Sequence, residues 1–117
     1  MVENRRSGLG KAYFAVLRVG ITKRELVRQN RHAILEAATS LGAERIRLFG
    51  SVARGEENSR SDVDFIVKMK PEMGVFDLVD LRDRLREILG CEVDVLTEHP
   101  WMRNRLRREI EEAAVEP

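Results

Sequence analysis

Apolar residues recur at helical spacing in the first patterned part of the chain, between Thr22 and Gly42. Thr22 and Glu25 have the spacing of a capping box, in which the hydroxyl and the carboxylate each satisfy a backbone amide at the start of a helix. Gly42 is placed to end the helix in the left-handed conformation. We therefore predict one helix here, with these residues on its apolar side: Leu26, Ala33, Ile34, Ala37, Ala38 and Leu41.

Alternation of apolar and polar residues predicts three strands, over residues 45–49, 62–68 and 91–97. A second helix is predicted over residues 75–89, with Gly90 to close it. Its apolar stripe comprises Val75, Leu78, Val79, Leu85, Ile88 and Leu89. A last helix is predicted from about residue 100 onward, and it carries Trp101, Met102, Leu106 and Ile110.

This order of elements predicts a small α/β (α+β) domain, in which helices pack on one face of a mixed sheet of three or more strands. We assign the domain to residues 22–117. Residues 1–21 carry four basic residues against one acidic residue, and three glycines interrupt any helical pattern there. We assign them to an N-terminal extension. Three interpretations of it stay open: a frayed terminus, an upstream start and a partner-binding arm.

Composition and charge exclude several classes of protein. The 117 residues carry a net charge of +1, so the chain has no overall field to hold it on DNA or on an anionic membrane, and no direct nucleic-acid binding is expected. No stretch approaches the ~20 apolar residues that span a bilayer. The single cysteine, Cys91, excludes an internal disulfide framework, and no Cys/His cluster has the spacing of a structural zinc site. We expect a cytoplasmic domain.

Three aspartates point to metal chemistry. Asp62 and Asp64 are two residues apart on a predicted strand, so both side chains leave the same face, roughly 6.5–7 Å apart at the backbone. Like charges so close together are costly unless a divalent cation such as Mg²⁺ compensates them. If the third strand lies beside the second, Asp94 joins this pair on an open sheet face. Three carboxylates there can hold two metal ions for an in-line phosphoryl displacement, with Asp94 as acceptor of the proton from the incoming hydroxyl.

A glycine–serine pair follows the first predicted strand. Backbone amides at the start of a short helix favour anions, and Gly50 permits close approach to a phosphate, to which Ser51 adds a hydroxyl donor. Arg54 can place a guanidinium against the same phosphates. Structural interpretations stay open beside these: a solvated strand end for the first two aspartates, an edge-strand charge for Asp94, a helix N-cap for Ser51 and a solvent-facing Arg54.

The spacing of these residues resembles a known signature. Gly50-Ser51, then Asp62-x-Asp64 and a later Asp94 on a strand, resembles the polymerase β-type nucleotidyltransferase superfamily. The string FGSVARGEENSRSDVDFIV is most similar to the minimal nucleotidyltransferases of prokaryotes, the MntA-type antitoxins that are paired with HEPN-domain toxins. The similarity runs from about residue 22 to residue 115, so only the N-terminal extension departs from it.

The resemblance implies a polymerase β-like fold and a role for each residue. Gly50 and Ser51 would hold the β- and γ-phosphates of ATP, Asp62 and Asp64 would coordinate Mg²⁺, and Asp94 would complete the metal site and activate the acceptor. The family transfers a nucleoside monophosphate, usually AMP, to a hydroxyl and releases pyrophosphate. In the antitoxin subgroup the acceptor is a tyrosine of the partner toxin, whose ribonuclease activity is thereby blocked, as in a type VII-like toxin–antitoxin pair.

The size of the domain favours the same kind of partner. Three strands and three helices leave no residues for a second, acceptor-binding domain, so we expect a hetero-oligomer in which another protein supplies the acceptor pocket or is itself modified. Two alternatives remain. One is a non-catalytic antitoxin that neutralises its toxin by binding, and the other is a nucleotidyltransferase that acts on a small molecule.

Overall fold

Helices and strands alternate along the part of the chain that the computed structural model describes, which is residues 21–56, 62–99 and 102–117. They are α1 (Lys23–Gln29), α2 (Arg31–Ser40), β1 (Ala43–Phe49), α3 (Gly50–Arg54), β2 (Val63–Met69), α4 (Val75–Leu89), β3 (Val93–Thr97) and α5 (Asn104–Ala113). The extension predicted for residues 1–21 lies outside the described residues, apart from Ile21, as does Trp101. None of the helices in the described ranges has the length and apolar character needed to cross a bilayer.

The predicted first helix is two helices, α1 and α2, which meet at Asn30. Thr22 caps α1 as predicted, because its hydroxyl accepts a hydrogen bond of 3.0 Å from the amide of Glu25. The prediction of one continuous helix is wrong, since the side-chain amide of Asn30 donates to the carbonyl of Leu26 at 2.8 Å, a local bond that competes with regular helix geometry. Ala33, which was predicted to be on the apolar side, is exposed.

β2 is the central strand of a mixed sheet in the order β1-β2-β3. β1 runs antiparallel to β2, whereas β3 runs parallel to it. An isolated bridge extends the sheet at the outer edge of β1, where Leu48 and Val115 exchange two backbone hydrogen bonds of 2.6 and 2.9 Å. The predicted mixed sheet is thus confirmed.

Helices pack on both faces of this sheet. α1 to α4 enclose the main core on one face, with Phe65 of β2 at 0% exposure. α5 packs on the other face, where Met102 and Ile110 cover Ile66. We call this second side of the sheet the α5 face. The prediction that all helices lie on one face is therefore wrong for α5, because β2 is apolar and buried on both sides at this point.

α4 has the predicted bounds, and it ends at Gly90, whose φ of 69° is left-handed. Its fully buried positions are one turn apart: Leu81, Leu85 and Leu89. Val75 and Val79, which were predicted to be part of the apolar stripe, are 66% and 39% exposed because they lie around the helix from these leucines. The sequence pattern overlooked Leu81.

α5 begins at Asn104 rather than near residue 100. Met102 and Ile110 are buried, whereas Leu106 is 42% exposed. The helix thus contributes one narrow apolar edge to the sheet and leaves its charged residues in solvent.

Candidate functional site

Two of the predicted acidic residues face each other across neighbouring strands. Asp64 on β2 is the direct register partner of Asp94 on β3. The residues next to them, including Phe65 and Val93, belong to the main core, so both aspartates project from the opposite side, the α5 face. Asp62 lies just before β2, close enough for its charge to act on Asp64. The structure therefore brings the three together, and we call Asp62, Asp64 and Asp94 the acidic row.

Asp64 has the least favourable electrostatic environment of this row. Its side chain is half-buried, while Asp62 and Asp94 are exposed. Burial raises the pKa of Asp64 above its ordinary value, and the negative charges of Asp94 and Asp62 raise this pKa further, whereas the positive charge of Arg54 lowers it. A bound cation would instead stabilise the ionised form of Asp64 and lower its pKa.

Gly50 lies directly against Asp64. Its φ of 74° is in the left-handed region, which side-chain-bearing residues rarely adopt. A Cβ at this position would also collide with Oδ2 of Asp64 and would lie 3.1 Å from Cγ of the same carboxylate. Both the backbone and the available space therefore require glycine here, and the predicted glycine–serine turn is packed against the acidic row.

A short helix, α3, begins at the glycine–serine pair, as predicted from the sequence. Ser51 lies in the first turn of α3, and the helix ends at Gly55, whose φ is 72°. Phe49 occupies the N-cap position, so the interpretation of Ser51 as an N-cap is wrong. α1 braces this short helix, because Nη1 of Arg24 donates a hydrogen bond of 2.7 Å to the carbonyl of Ala53.

Arg54 lies at the other end of α3, within electrostatic reach of Asp64. Its side chain is half exposed, and its Nε donates to Oε1 of Glu56 at 2.8 Å. The guanidinium is thus near the acidic row and already engaged by a surface carboxylate. Its predicted contact with phosphate stays a prediction.

The acidic row has the donor chemistry of a magnesium site. Carboxylate oxygens are the protein ligands that Mg²⁺ prefers, and the repulsion around Asp64 is the kind that a cation relieves. Within the described ranges, no three acidic, histidine or cysteine side chains are already gathered around one point as a metal site. The residues therefore fit Mg²⁺ by their chemistry, with Asp64 and Asp94 on one face and Asp62 close by, without a preformed cage.

The sequence analysis overlooked Arg47, a charged residue on the α5 face next to this site. Arg47 is the register partner of Ile66 and is only 3% exposed. Its Nη2 lies 3.0 Å from Oε1 of Glu98 and 3.9 Å from Oε1 of Glu111, so it ties β1 to the chain after β3 and to α5. The sequence held one signal for the burial of Arg47, which is the apolar run Phe65-Ile66-Val67. A strand without alternation is covered on both faces, so a neighbouring residue on the second face is covered as well.

Comparison with known proteins supports one family. Residues 32–116 match the nucleotidyltransferase domain family. The chain is 42% identical over 71 residues to a candidate protein adenylyltransferase of Methanocaldococcus jannaschii, covering 58% of this chain and 76% of the relative. It is 33% identical over 61 residues to the protein adenylyltransferase MntA of Thermococcus cleftensis, covering 52% of this chain and 62% of the relative.

Solved structures give the same result for the fold. A candidate minimal nucleotidyltransferase superposes with a TM-score of 0.71 at 36% identity, covering 79% of this chain and 93% of that chain. A toxin–antitoxin complex with AMP-PNP shares the fold at a TM-score of 0.61 and 21% identity, covering 73% of this chain and 69% of that chain. The predicted fold class is thereby confirmed. Because the family match spans well over half of the chain, this protein belongs to the nucleotidyltransferase domain family and is an enzyme of the minimal nucleotidyltransferase type.

Proposed function

We propose that this enzyme uses Mg²⁺ to transfer AMP from ATP to a tyrosine hydroxyl of a partner HEPN-domain toxin, and that it thereby acts as the antitoxin of the pair. The observation that carries the chemical part is the pairing of Asp64 with Asp94 in register, with Gly50 packed against Asp64. Asp64 thus lies against the glycine–serine turn, with Asp94 on the other side of Asp64, an arrangement that suits a metal-bound triphosphate.

The glycine–serine turn is the proposed seat of the triphosphate. Gly50 and Ser51 begin α3, so their backbone amides and the serine hydroxyl can donate hydrogen bonds to the β- and γ-phosphates. Arg54 at the end of the same helix would add a positive charge. Because α1 and the main core hold α3 in place, these donors are positioned before the nucleotide binds.

The acidic row would hold Mg²⁺ through Asp62, Asp64 and Asp94. When bound, the metal neutralises charge on the phosphates and lowers the barrier to displacement at phosphorus. The acceptor oxygen forms a bond to the α-phosphorus, the bond from that phosphorus to the bridging oxygen breaks, and pyrophosphate leaves. Asp94 is exposed on the edge strand β3, at the outer side of the row, and would take the proton from the acceptor hydroxyl.

The partner is inferred from relatives. The Thermococcus cleftensis relative is named as the protein adenylyltransferase MntA. A solved toxin–antitoxin complex that includes a protein of the name MntA shares the fold of this chain, at 18% identity and a TM-score of 0.58.

A labelling experiment tests the proposal. The full chain is incubated with ATP labelled at the α-phosphate, Mg²⁺ and the toxin encoded by the neighbouring gene. Label that is retained on a tyrosine of the toxin and that abolishes its ribonuclease activity supports the proposal. Inhibition of the toxin without label favours an antitoxin that acts by binding, and label on small molecules alone favours a small-molecule acceptor.

Variants of the acidic row separate chemistry from folding. Asp62→Asn combined with Asp64→Asn should abolish transfer and leave the fold intact or slightly stabilised, because the change removes repulsion without touching the main core. Asp80→Asn is the matched control, since Asp80 is an exposed aspartate on α4. Circular dichroism checks folding. Loss of folding in the double variant would assign the pair a structural role.

A further inference from the structure

An apolar cleft of about 260 Å³ lies on the α5 face beside the acidic row. Its apolar walls come from the sheet and from α5: Phe49, Ile66, Leu96, Met102, Leu106 and Ile110. Leu96 and Leu106 are 50% and 42% exposed, so the cleft opens to solvent between β3 and α5. Exposed leucines at such a position are available to contact another molecule.

The floor of the cleft continues the acidic row. Asp64 pairs with Asp94, and two residues further along the same strands Ile66 pairs with Leu96. Residues two apart on a strand share a face and are roughly 6.5–7 Å apart. The apolar pair is therefore the next pair on the same face of the sheet after the carboxylate pair. The spacing between the two pairs is close to the length of a tyrosine side chain from Cβ to its hydroxyl.

We propose that this cleft seats the aromatic ring of the acceptor, so that the enzyme selects a phenolic hydroxyl; the inference rests on the proposed function. Asp94 is outside the cleft lining but two residues before Leu96 on the same face of β3, so a ring that lies on Leu96 and against Leu106 can extend its hydroxyl toward this proposed proton acceptor. A serine or threonine hydroxyl is too close to its own backbone to reach the carboxylate while its residue fills the cleft. Thr97 and His99 add polar groups to the mainly apolar lining, a combination that suits tyrosine.

The order of groups across the sheet assigns the cleft to the acceptor rather than to the adenine of ATP. The glycine–serine turn follows β1, Asp64 is on the central strand and Asp94 is on β3. The cleft reaches Phe49 of β1 on its inner side, but its exposed residues Leu96 and Leu106 belong to β3 and α5, so its mouth is on the β3 side. Triphosphate and acceptor thus approach phosphorus from opposite flanks, as an in-line displacement requires.

Kinetics with a charged substitution at the mouth test the cleft. Leu106→Glu places a carboxylate at the opening, and Val79→Glu is the control, because Val79 is a similarly exposed apolar residue on α4, 39% against 42%. We expect Leu106→Glu to raise the KM for the toxin by at least about tenfold while the KM for ATP stays within about twofold, and Val79→Glu to change neither. A raised KM for ATP with an unchanged toxin KM would assign the cleft to adenine and overturn the inference, as would no change in either.

A binding experiment separates this inference from the proposed function. N-acetyl-tyrosine amide is titrated into the wild-type full chain, and the methyl signals of Ile66, Leu96 and Met102 are followed by NMR. We expect shifts that Leu106→Glu abolishes and Val79→Glu preserves. No shift up to the solubility limit of the probe overturns the inference, even if AMP transfer occurs. Shifts in an enzyme that transfers AMP to no acceptor would support the cleft while refuting the proposed function.

Discussion

Replacing Gly50 by alanine tests whether the acidic row depends on the glycine beside it. Alanine would have to adopt a φ of 74°, which costs about 1–2 kcal/mol, although the stiffer unfolded chain offsets about 0.4–1 kcal/mol of this. The methyl group would also meet Asp64, whose Cγ and Cβ lie 3.1 and 3.3 Å from the added atom and whose Oδ2 collides with it. Turning that carboxylate away from its rotamer costs about 0.5–1.5 kcal/mol. We expect the free energy of unfolding to fall by about 1–3 kcal/mol.

Gly55 offers a matched control at the other end of α3. Its φ of 72° imposes the same backbone cost on alanine, but nothing lies within 4 Å of the added Cβ. Gly55→Ala should therefore lower the free energy of unfolding by about 1.5 kcal/mol or less. The difference between the two variants isolates the contact between residue 50 and Asp64.

Urea denaturation followed by circular dichroism measures the stability of both variants, and release of pyrophosphate measures transfer. Because a small misplacement of a catalytic group has a large kinetic effect, we expect Gly50→Ala to reduce kcat/KM by about a hundredfold. Gly55→Ala should retain activity within a few-fold of wild type. Full activity in Gly50→Ala, or an equal loss in both variants, would refute the view that the position of Asp64 depends on Gly50.

Two further substitutions test the electrostatics. Asp64→Asn should stabilise the protein at neutral pH, because burial and neighbouring carboxylates disfavour the ionised form. Since the folded-state pKa of Asp64 lies above the ordinary 3.8, the gain in stability should shrink as the pH falls through the folded-state pKa toward 3.8. Urea titrations at several pH values measure this gain, and a gain independent of pH would contradict the raised pKa of Asp64. Arg47→Ala should lower the free energy of unfolding by about 3–5 kcal/mol, because it leaves Glu98 without its buried ion pair. Arg45→Ala, whose partner Glu116 is 60% exposed, should cost at most about 1 kcal/mol, and equal thermal destabilisation of both variants would contradict the role of burial.

The acidic row was predictable because strand alternation is a local property. Asp62 and Asp64 are two positions apart, with Val63 between them, so their predicted shared face follows from strand geometry alone. The place of Asp94 required a further assumption, that β3 lies beside β2, and the parallel register with Asp64 bears this out. That pairing is a long-range contact, and no single-strand pattern contains it.

The second face of the sheet was harder to predict. α5 has charged residues on most of its surface, and this predicts a solvated helix. Its packing depends on Ile66, whose burial is set by residues more than thirty positions later in the chain, Met102 and Ile110. Arg47 shows the same limit, because an arginine in a strand becomes structural only once Glu98 and α5 close over it.

The bridge between Leu48 and Val115 has a consequence for the proposed acceptor cleft. Val115 follows α5 directly and exchanges two backbone hydrogen bonds with β1, while Nε of Arg31 donates to the carbonyl of Pro117 at 3.2 Å. The C-terminal end of α5, which forms one wall of the cleft, is therefore attached to the edge strand β1. To widen the cleft from that end, the protein would have to break these hydrogen bonds. They therefore limit the thickness of a group that can enter the cleft.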